Sequence, residues 1–126
     1  MIAHSEMRNP ISTKTEAIVL REICEYLSLM KVFFWRSNNI PVFGMSNDGK
    51  MRFRALPKYT PKGLPDIIIV HEGKFIGIEV KKPGAKLRPE QEDFKKNVVA
   101  NDGLYFVVDS MLVMENVYKY YLDSSE

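Results

Sequence analysis

The segment PDIIIVHEGKFIGIEVK, residues 65 to 81, decides how this chain folds. Ile67 to Val70 is a β-branched run typical of a central strand, and Lys74 to Lys81 follows as a second strand. The residues between them, His71-Glu72-Gly73-Lys74, are typical of a hairpin turn. The segment therefore predicts two antiparallel strands joined by a tight turn.

The carboxylates at the open end of this hairpin are its most informative feature. If the turn is symmetric about Glu72 and Gly73, Asp66 lies directly opposite Glu79, and two like charges there are destabilising unless something neutralises them. Alternation along the strand places Glu79 and Lys81 on one face, with room left by Gly77, while Ile76, Ile78 and Val80 point the other way. A turn of odd length with a bulge at Gly73 would separate Asp66 from Glu79, so their meeting depends on the register.

Two carboxylates and an ammonium group at one place predict a hard cation and phosphate chemistry. Oxygen ligands without His or Cys favour Mg²⁺ or Mn²⁺, and the natural reaction is phosphodiester hydrolysis. In that reaction Asp66 and Glu79 bind the metal, and Lys81 orients the attacking water or stabilises developing charge. The alternative is a turn residue at Asp66 and an exposed ion pair between Glu79 and Lys81; the joint arrangement favours the site.

The first helix is predicted from about Thr13 to Met30. Thr13 and Glu16 have the spacing of a capping box. Glu16 also lies on the axis of the apolar stripe, which consists of Leu20, Ile23, Leu27 and Met30. Considered alone, Glu16 is better explained as a cap than as a catalytic group, and both interpretations stay open at this stage.

The rest of the chain alternates between strands and helices. The predicted elements are a strand at Val32 to Ser37, a long loop at Asn38 to Pro65 that admits a short strand at Met51 to Arg54, a helix at Arg88 to Asn101, a strand at Leu104 to Val108 and a helix at Met111 to Leu122. The order is αβββαβα. A loop as long as the one before Pro65 is usually functional.

Length and composition exclude several classes of protein. The 126 residues, 45% hydrophobic and 27% charged, predict a single globular domain over 1–126. One cysteine, Cys24, and two distant histidines exclude a disulfide framework and a structural zinc site. No apolar stretch approaches the roughly 20 residues of a membrane span. The start lacks the apolar region of a signal peptide, so we expect a cytoplasmic protein.

A basic segment precedes the hairpin. Between Lys31 and Lys62 there are seven Lys and Arg residues against one acid, Asp48. The bases are Lys31, Arg36, Lys50, Arg52, Arg54, Lys58 and Lys62, and aromatic and amide side chains are interleaved with them. This mixture suits contact with phosphates and stacking on bases, although a solvated loop has the same composition.

A near match to a phosphate-binding loop is rejected. Gly44 to Met51 almost has the P-loop pattern, but Met51 stands where a Ser or Thr hydroxyl should bind Mg²⁺. Pro57 soon interrupts the helix that should follow such a loop. A nucleotidase or ATPase is therefore not expected.

The ordered set of motif residues resembles the VRR-NUC (virus-type replication-repair nuclease) family of the PD-(D/E)XK nuclease superfamily. The resemblance covers roughly Glu16 to Val108. Its motif residues are Glu16, Gly63-Leu64-Pro65-Asp66, Glu79-Val80-Lys81-Lys82-Pro83 and Gln91. It implies a restriction-endonuclease-like core (αβββαβ), with a mixed central sheet flanked by helices.

The resemblance also implies roles for individual residues. Asp66, Glu79 and the Val80 carbonyl would bind metal, with Glu16 as an additional carboxylate on the metal side. Lys81 would assist the attacking water, and Gln91, which is in helical register with Phe94 and Val98, would support the site. The expected DNA-binding side chains are Arg36, Arg52, Arg54, Lys58, Lys62 and Lys82.

We therefore expect a Mg²⁺-dependent DNA endonuclease, with Mn²⁺ as a substitute. The preferred version is a homodimer that cuts Holliday junctions or other branched DNA during replication and repair, in a bacterium or a phage-infected host cell. One alternative is a nonspecific or restriction-type endonuclease. The other is a catalytically silent nucleic-acid-binding subunit, which the intact Asp66, Glu79 and Lys81 disfavour.

Overall fold

The computed structural model describes residues 14–37, 43–45, 48–53 and 58–124. Its helices are α1 (Glu16–Leu29), α2 (Pro89–Ala100) and α3 (Met111–Val117), and α3 continues into a π-helical segment, Tyr118–Leu122. Its strands are β1 (Phe34–Arg36), β2 (Phe43–Met45), β3 (Met51–Phe53), β4 (Ile67–His71), β5 (Lys74–Val80) and β6 (Leu104–Val108).

Four of these strands form a mixed sheet, so the fold is α/β as predicted. The strand order is β1-β4-β5-β6, in which β5 and β6 are parallel and the other neighbours are antiparallel. The crossover from β5 to β6 contains α2, as a parallel connection requires. No helix among the described residues is long and apolar enough to span a bilayer.

The hydrophobic core lies on the α1 and α3 side of the sheet. Ile23 and Leu27 of α1 pack with Met114 of α3 against the inward side chains of the strands. Those strand residues are Ile67, Ile69, Ile76, Ile78, Val80 and Val108. Helix α2 covers the opposite face, where Phe94 contacts the rings of Phe75 and Tyr105. The alternation predicted for β5 is confirmed, because Ile76, Ile78 and Val80 face the larger core.

The β4–β5 hairpin has the predicted register. Ile67 pairs with Ile78 and His71 with Lys74, so the turn contains only Glu72 and Gly73. Both turn residues have positive φ, 51° and 80°, as the tightest hairpin turns require. Extending this register by one residue places Asp66 opposite Glu79.

Three predictions need correction. Helix α1 begins at Glu16, and its N-cap is Thr15, whose side chain accepts from the Ile18 N–H at 3.1 Å. Thr13, the predicted cap, lies outside the described residues. Met30, placed on the buried stripe, is 38% exposed, because the buried positions are Val19, Ile23 and Leu27.

The third correction concerns the segment before the hairpin. It was predicted as a loop with one short strand, but β2 and β3 pair as an antiparallel hairpin with Gly44 opposite Arg52. Asp48 closes the turn by accepting from the Lys50 N–H at 3.1 Å. The stretch rejected as a P-loop therefore contains a hairpin, and no helix follows it directly in the described part of the chain.

Candidate active site

Asp66 and Glu79 meet at the end of the sheet where β4 begins and β5 ends. The backbone N–H of Val80 donates to Oδ2 of Asp66 at 2.8 Å, which fixes the Asp66 carboxylate against β5. The backbone N–H of Ser37 donates to the Asp66 carbonyl oxygen at 2.9 Å and attaches β1 to the same point. Three neighbouring strands therefore meet beside this pair of carboxylates.

Glu79 is a buried acid with one oxygen unpartnered. Its residue surface is 4% exposed and Oε2 accepts from Nε2 of Gln91 at 3.0 Å, whereas Oε1 has no hydrogen-bond partner among the described residues. Lys81 places Nζ 3.7 Å from Oε2, and its side chain is 13% exposed. A buried carboxylate oxygen without a donor is costly, so this atom indicates a missing positive group or donor.

The electrostatics of the two acids agree with that interpretation. Burial and the neighbouring Asp66 carboxylate raise the pKa of Glu79 to about 7, against the opposing effect of Lys81. Burial also raises the pKa of Asp66, and Glu16 adds to this, while the Val80 N–H and the nearby cations act in the opposite direction. A cation bound between the two acids would stabilise both carboxylates in their charged form, against the cost of burial and against their mutual repulsion.

The two acids and Lys81 line an open cavity of about 580 Å³. Its lining includes all of the predicted catalytic and metal-binding residues. The lining residues are Glu16, Arg36, Ser37, Leu64, Asp66, Glu79, Val80, Lys81, Arg88 and Gln91. All five predicted catalytic residues are therefore brought to one place.

Glu16 approaches this cavity from the first turn of α1. Its Oε2 accepts from the backbone N–H of Lys82 at 3.0 Å, which attaches the start of α1 to the chain just after β5. The cap at this end of the helix is Thr15, so the capping-box interpretation of Glu16 is wrong. Its placement leaves the metal-side role as a prediction.

Gln91 connects the start of α2 to Glu79. It is 3% exposed; its Oε1 accepts from the Arg88 N–H at 2.9 Å while its Nε2 donates to Glu79. One amide therefore satisfies a helix N-terminus and orients a carboxylate at the same time. The supporting role of Gln91 in catalysis stays a prediction.

The sequence reasoning missed three features of the site. Arg88 lines the cavity, and its charge lowers the pKa of Glu79. Tyr105 has a buried hydroxyl that no described residue partners, and its pKa is raised by burial and by Glu79. The room that Gly77 leaves is filled by Pro65 and Tyr105: a Cβ on Gly77 would lie 2.9 Å from Cγ of Pro65 and 3.2 Å from Cδ2 of Tyr105.

The donor set suits a hard divalent cation with few protein ligands. Among the described residues, no group of three or more His, Cys, Asp or Glu is arranged to hold a metal ion. Mg²⁺ keeps several waters and is commonly held by one or two carboxylates, which Asp66 and Glu79 supply. The unpartnered Oε1 of Glu79 is the observation that fits such an ion, whereas the Val80 carbonyl as a ligand stays a prediction.

The predicted DNA-binding residues are placed unevenly. Arg36 lines the cavity, and Lys82 follows Lys81 and is exposed. Lys58 and Lys62 are also exposed, with Nζ of Lys58 lying 5.1 Å from the ring centre of Tyr59. Arg52 belongs to β3, of which only the backbone is described, and Arg54 lies outside the described residues.

Comparison with protein-family models and with curated proteins found no match to this chain. The family resemblance therefore stays a proposal, carried by the motif residues and their arrangement.

Proposed function

We propose that this chain is a Mg²⁺-dependent DNA endonuclease of the PD-(D/E)XK superfamily, of the VRR-NUC type, with a restriction-endonuclease-like core. One observation carries the proposal: the buried carboxylate of Glu79 lies beside Asp66 and 3.7 Å from the Lys81 ammonium, with one oxygen unpartnered. Perturbed acids that meet a lysine in an open cavity are typical of catalytic sites.

The chain's own residues have separate tasks in hydrolysis. Gln91 and the Val80 N–H hold the carboxylates of Glu79 and Asp66 in fixed orientations. Lys81 orients the attacking water and stabilises charge that develops on the phosphate, because its ammonium is largely shielded from solvent. The water oxygen bonds to phosphorus as the P–O bond to the leaving strand breaks; the water gives up a proton to solvent, and the leaving oxygen takes a proton from solvent to become a hydroxyl.

A bound Mg²⁺, held by Asp66 and Glu79 with Glu16 nearby, would supply Lewis acidity and lower the pKa of a coordinated water. Arg36 and Arg88 at the cavity wall give the positive charge that a phosphate backbone requires. Lys82, Lys58 and Lys62 extend this charge over the exposed surface.

The preferred substrate is branched DNA, cut by a homodimer acting in replication or repair. Selectivity for a four-way junction needs two strands held at a fixed separation, and a two-fold dimer with one site per protomer provides this most simply. Paired, symmetric nicks and a dimer in solution are the expected signature. A monomer that cuts linear duplex as fast as junctions would instead support a nonspecific or restriction-type nuclease.

The test is a cleavage panel with purified protein and Mg²⁺, Mn²⁺ or EDTA. The panel contains duplex, single strand, flap, fork and four-way junction at equal concentration. Cleavage that requires the divalent ion and favours one branched substrate supports the proposal. Binding without cleavage under every condition would leave the silent nucleic-acid-binding subunit.

A further inference from the structure

An exposed strip of two aromatic residues and a valine lies on the sheet face that carries Glu79. It consists of Phe33, Trp35 and Val70, which are 68%, 45% and 39% exposed. The rings of Phe33 and Trp35 are 5.9 Å apart and tilted by 56°. Exposed large aromatic side chains in contact with each other mark an interaction surface more often than isolated ones do.

The register places this strip beside the candidate active site. Trp35 pairs with Ile68, and Ile68 pairs with Gly77, so Trp35 shares the face of Gly77 and Glu79. Ser37 follows Trp35 by two residues on the same face. Its backbone N–H donates to the Asp66 carbonyl oxygen, and it lines the cavity. Trp35 is two residues from Ser37, a distance of roughly 7 Å along a strand.

Helix α2 covers only part of this face. Its ring contacts reach Phe75 and Tyr105, on β5 and β6. The β1 and β4 part of the face carries the strip, beneath which Ile68 is buried. The strip therefore lies two residues from Ser37 of the cavity wall, and its side chains are exposed.

Charge indicates what kind of partner fits the strip. Arg36 leaves β1 on the face opposite to Trp35 and lines the cavity at the end of the strand, together with Lys81 and Arg88. Ser37 lines the same cavity two residues from Trp35, so a phosphate held there would have its neighbouring base within reach of the Trp35 ring. At the far end Phe33 lines a pocket together with Lys31 and Glu72, so that end carries side chains of both charges. Phe33 and Trp35 offer two rings, so the strip suits about one or two bases.

We propose that Phe33 and Trp35 form a stacking platform for unpaired bases next to the scissile phosphate. This inference rests on the proposed nuclease function and makes it more specific, because it requires a DNA with a short unpaired stretch at the cleavage site. Base stacking on aromatic side chains tolerates any sequence, since every base has a π-face. A blunt duplex, whose bases are already stacked on each other, gains nothing from the platform.

Trp35 is the only tryptophan in the chain, so its fluorescence reports directly on the strip. Binding is measured in EDTA, without turnover, by Trp35 emission and by the anisotropy of labelled DNA. Two DNAs share one duplex and differ only in a short single-stranded tail. The tailed DNA is expected to quench Trp35 and the blunt duplex to leave its emission nearly unchanged.

The substitutions separate stacking from general binding. Trp35→Ala should weaken binding of the tailed DNA by roughly 5- to 100-fold and leave the blunt duplex within about twofold. Trp35→Phe should retain most of the affinity because it keeps a ring. Tyr120→Ala, at a 69% exposed aromatic on the C-terminal π-helical segment, is the matched control and should change neither.

Three results would overturn the platform. Equal loss of tailed and blunt binding, or no loss, would show that Trp35 does not stack on bases while the nuclease proposal stands. Emission that changes with protein concentration alone, together with loss of a dimer in Trp35→Ala, would assign the strip to a second copy of the chain. If neither DNA binds in EDTA, the measurement is repeated with Ca²⁺ in its place, and absence of binding there too would contradict the nuclease proposal and the platform with it.

Discussion

Gln91 donates from Nε2 to Oε2 of Glu79 across 3.0 Å, and its own Oε1 accepts from the Arg88 N–H. The first turn of α2 and the carboxylate of β5 are therefore held by a single buried amide. Movement of this helix end would turn Glu79 away from Asp66.

Gln91→Leu keeps most of the volume of the side chain and removes both hydrogen bonds. A buried acceptor and a backbone donor lose their partner, so we expect a cost of about 1 to 3 kcal/mol in the free energy of unfolding. Cleavage should fall as well, because Glu79 is no longer oriented. Urea unfolding and initial cleavage rates measure the two effects. Asn97→Ala, at an exposed amide on the same helix, is the control; an equal effect there would contradict the role of Gln91.

The metal-free protein should lose stability as the pH rises from about 4.5 to about 7. The pKa of Glu79 is about 7 in the folded protein against an ordinary value of 4.5, so the folded state binds more protons in this window. The free energy of unfolding therefore falls with rising pH, and the raised pKa of Asp66 acts in the same direction. Unfolding in EDTA across this range tests it.

Glu79→Gln should flatten this pH dependence, whereas Glu92→Gln, at an exposed position of α2, should leave it in place. Added Mg²⁺ should reverse the trend for the natural chain, since the ion binds the deprotonated carboxylates. A stability that rises through this window without metal would show that Glu79 is not the repelled acid described above.

Gly63 fixes the loop before Asp66 against α2. Its φ is +79°, and a Cβ there would collide with the backbone carbonyl of Glu90. Gly84 has nearly the same φ, +82°, with nothing within 4 Å of a Cβ. Gly84→Ala should cost only backbone strain, about 1 to 2 kcal/mol. Gly63→Ala should cost clearly more and lower cleavage, because the start of α2 must move. Equal melting temperatures for the two variants would contradict this packing.

Thr15 and Glu16 have neighbouring positions and different tasks. Thr15→Ala removes the cap of α1 and should cost about 1 kcal/mol of stability with cleavage nearly unchanged. Glu16→Gln keeps an oxygen that accepts from the Lys82 N–H but removes the charge. We expect lower cleavage at an unchanged melting temperature. Full activity in Glu16→Gln would show that this residue has only a structural role, connecting α1 to the segment after β5.

Local rules predicted the part of the site that depends on one hairpin. The turn at Glu72 and Gly73 sets the register, and alternation then determines which face Glu79 and Lys81 share. Pro89 and Asn101 marked the ends of the second helix for the same reason, since helix termini have local signals.

The features that were missed depend on how distant elements pack. Thr13 and Thr15 are both plausible caps in the local sequence. The contact between Glu16 and Lys82 joins residues 66 positions apart, so no local pattern indicates it. The exposure of Trp35 depends on which elements pack over β1, which the periodicity of Val32 to Ser37 does not indicate. The buried hydroxyl of Tyr105 is likewise set by the neighbouring β5.

The central claim is that Asp66 and Glu79 together bind the ion that makes phosphodiester hydrolysis possible. The most direct measurement is the Mg²⁺-dependent cleavage rate of Asp66→Asn and Glu79→Gln on whichever DNA the natural chain cuts fastest, with unfolding curves recorded alongside. We predict that both variants fold, are as stable as or more stable than the natural chain without metal above about pH 7, and lose nearly all cleavage. Either variant cutting at close to the natural rate would contradict the claim.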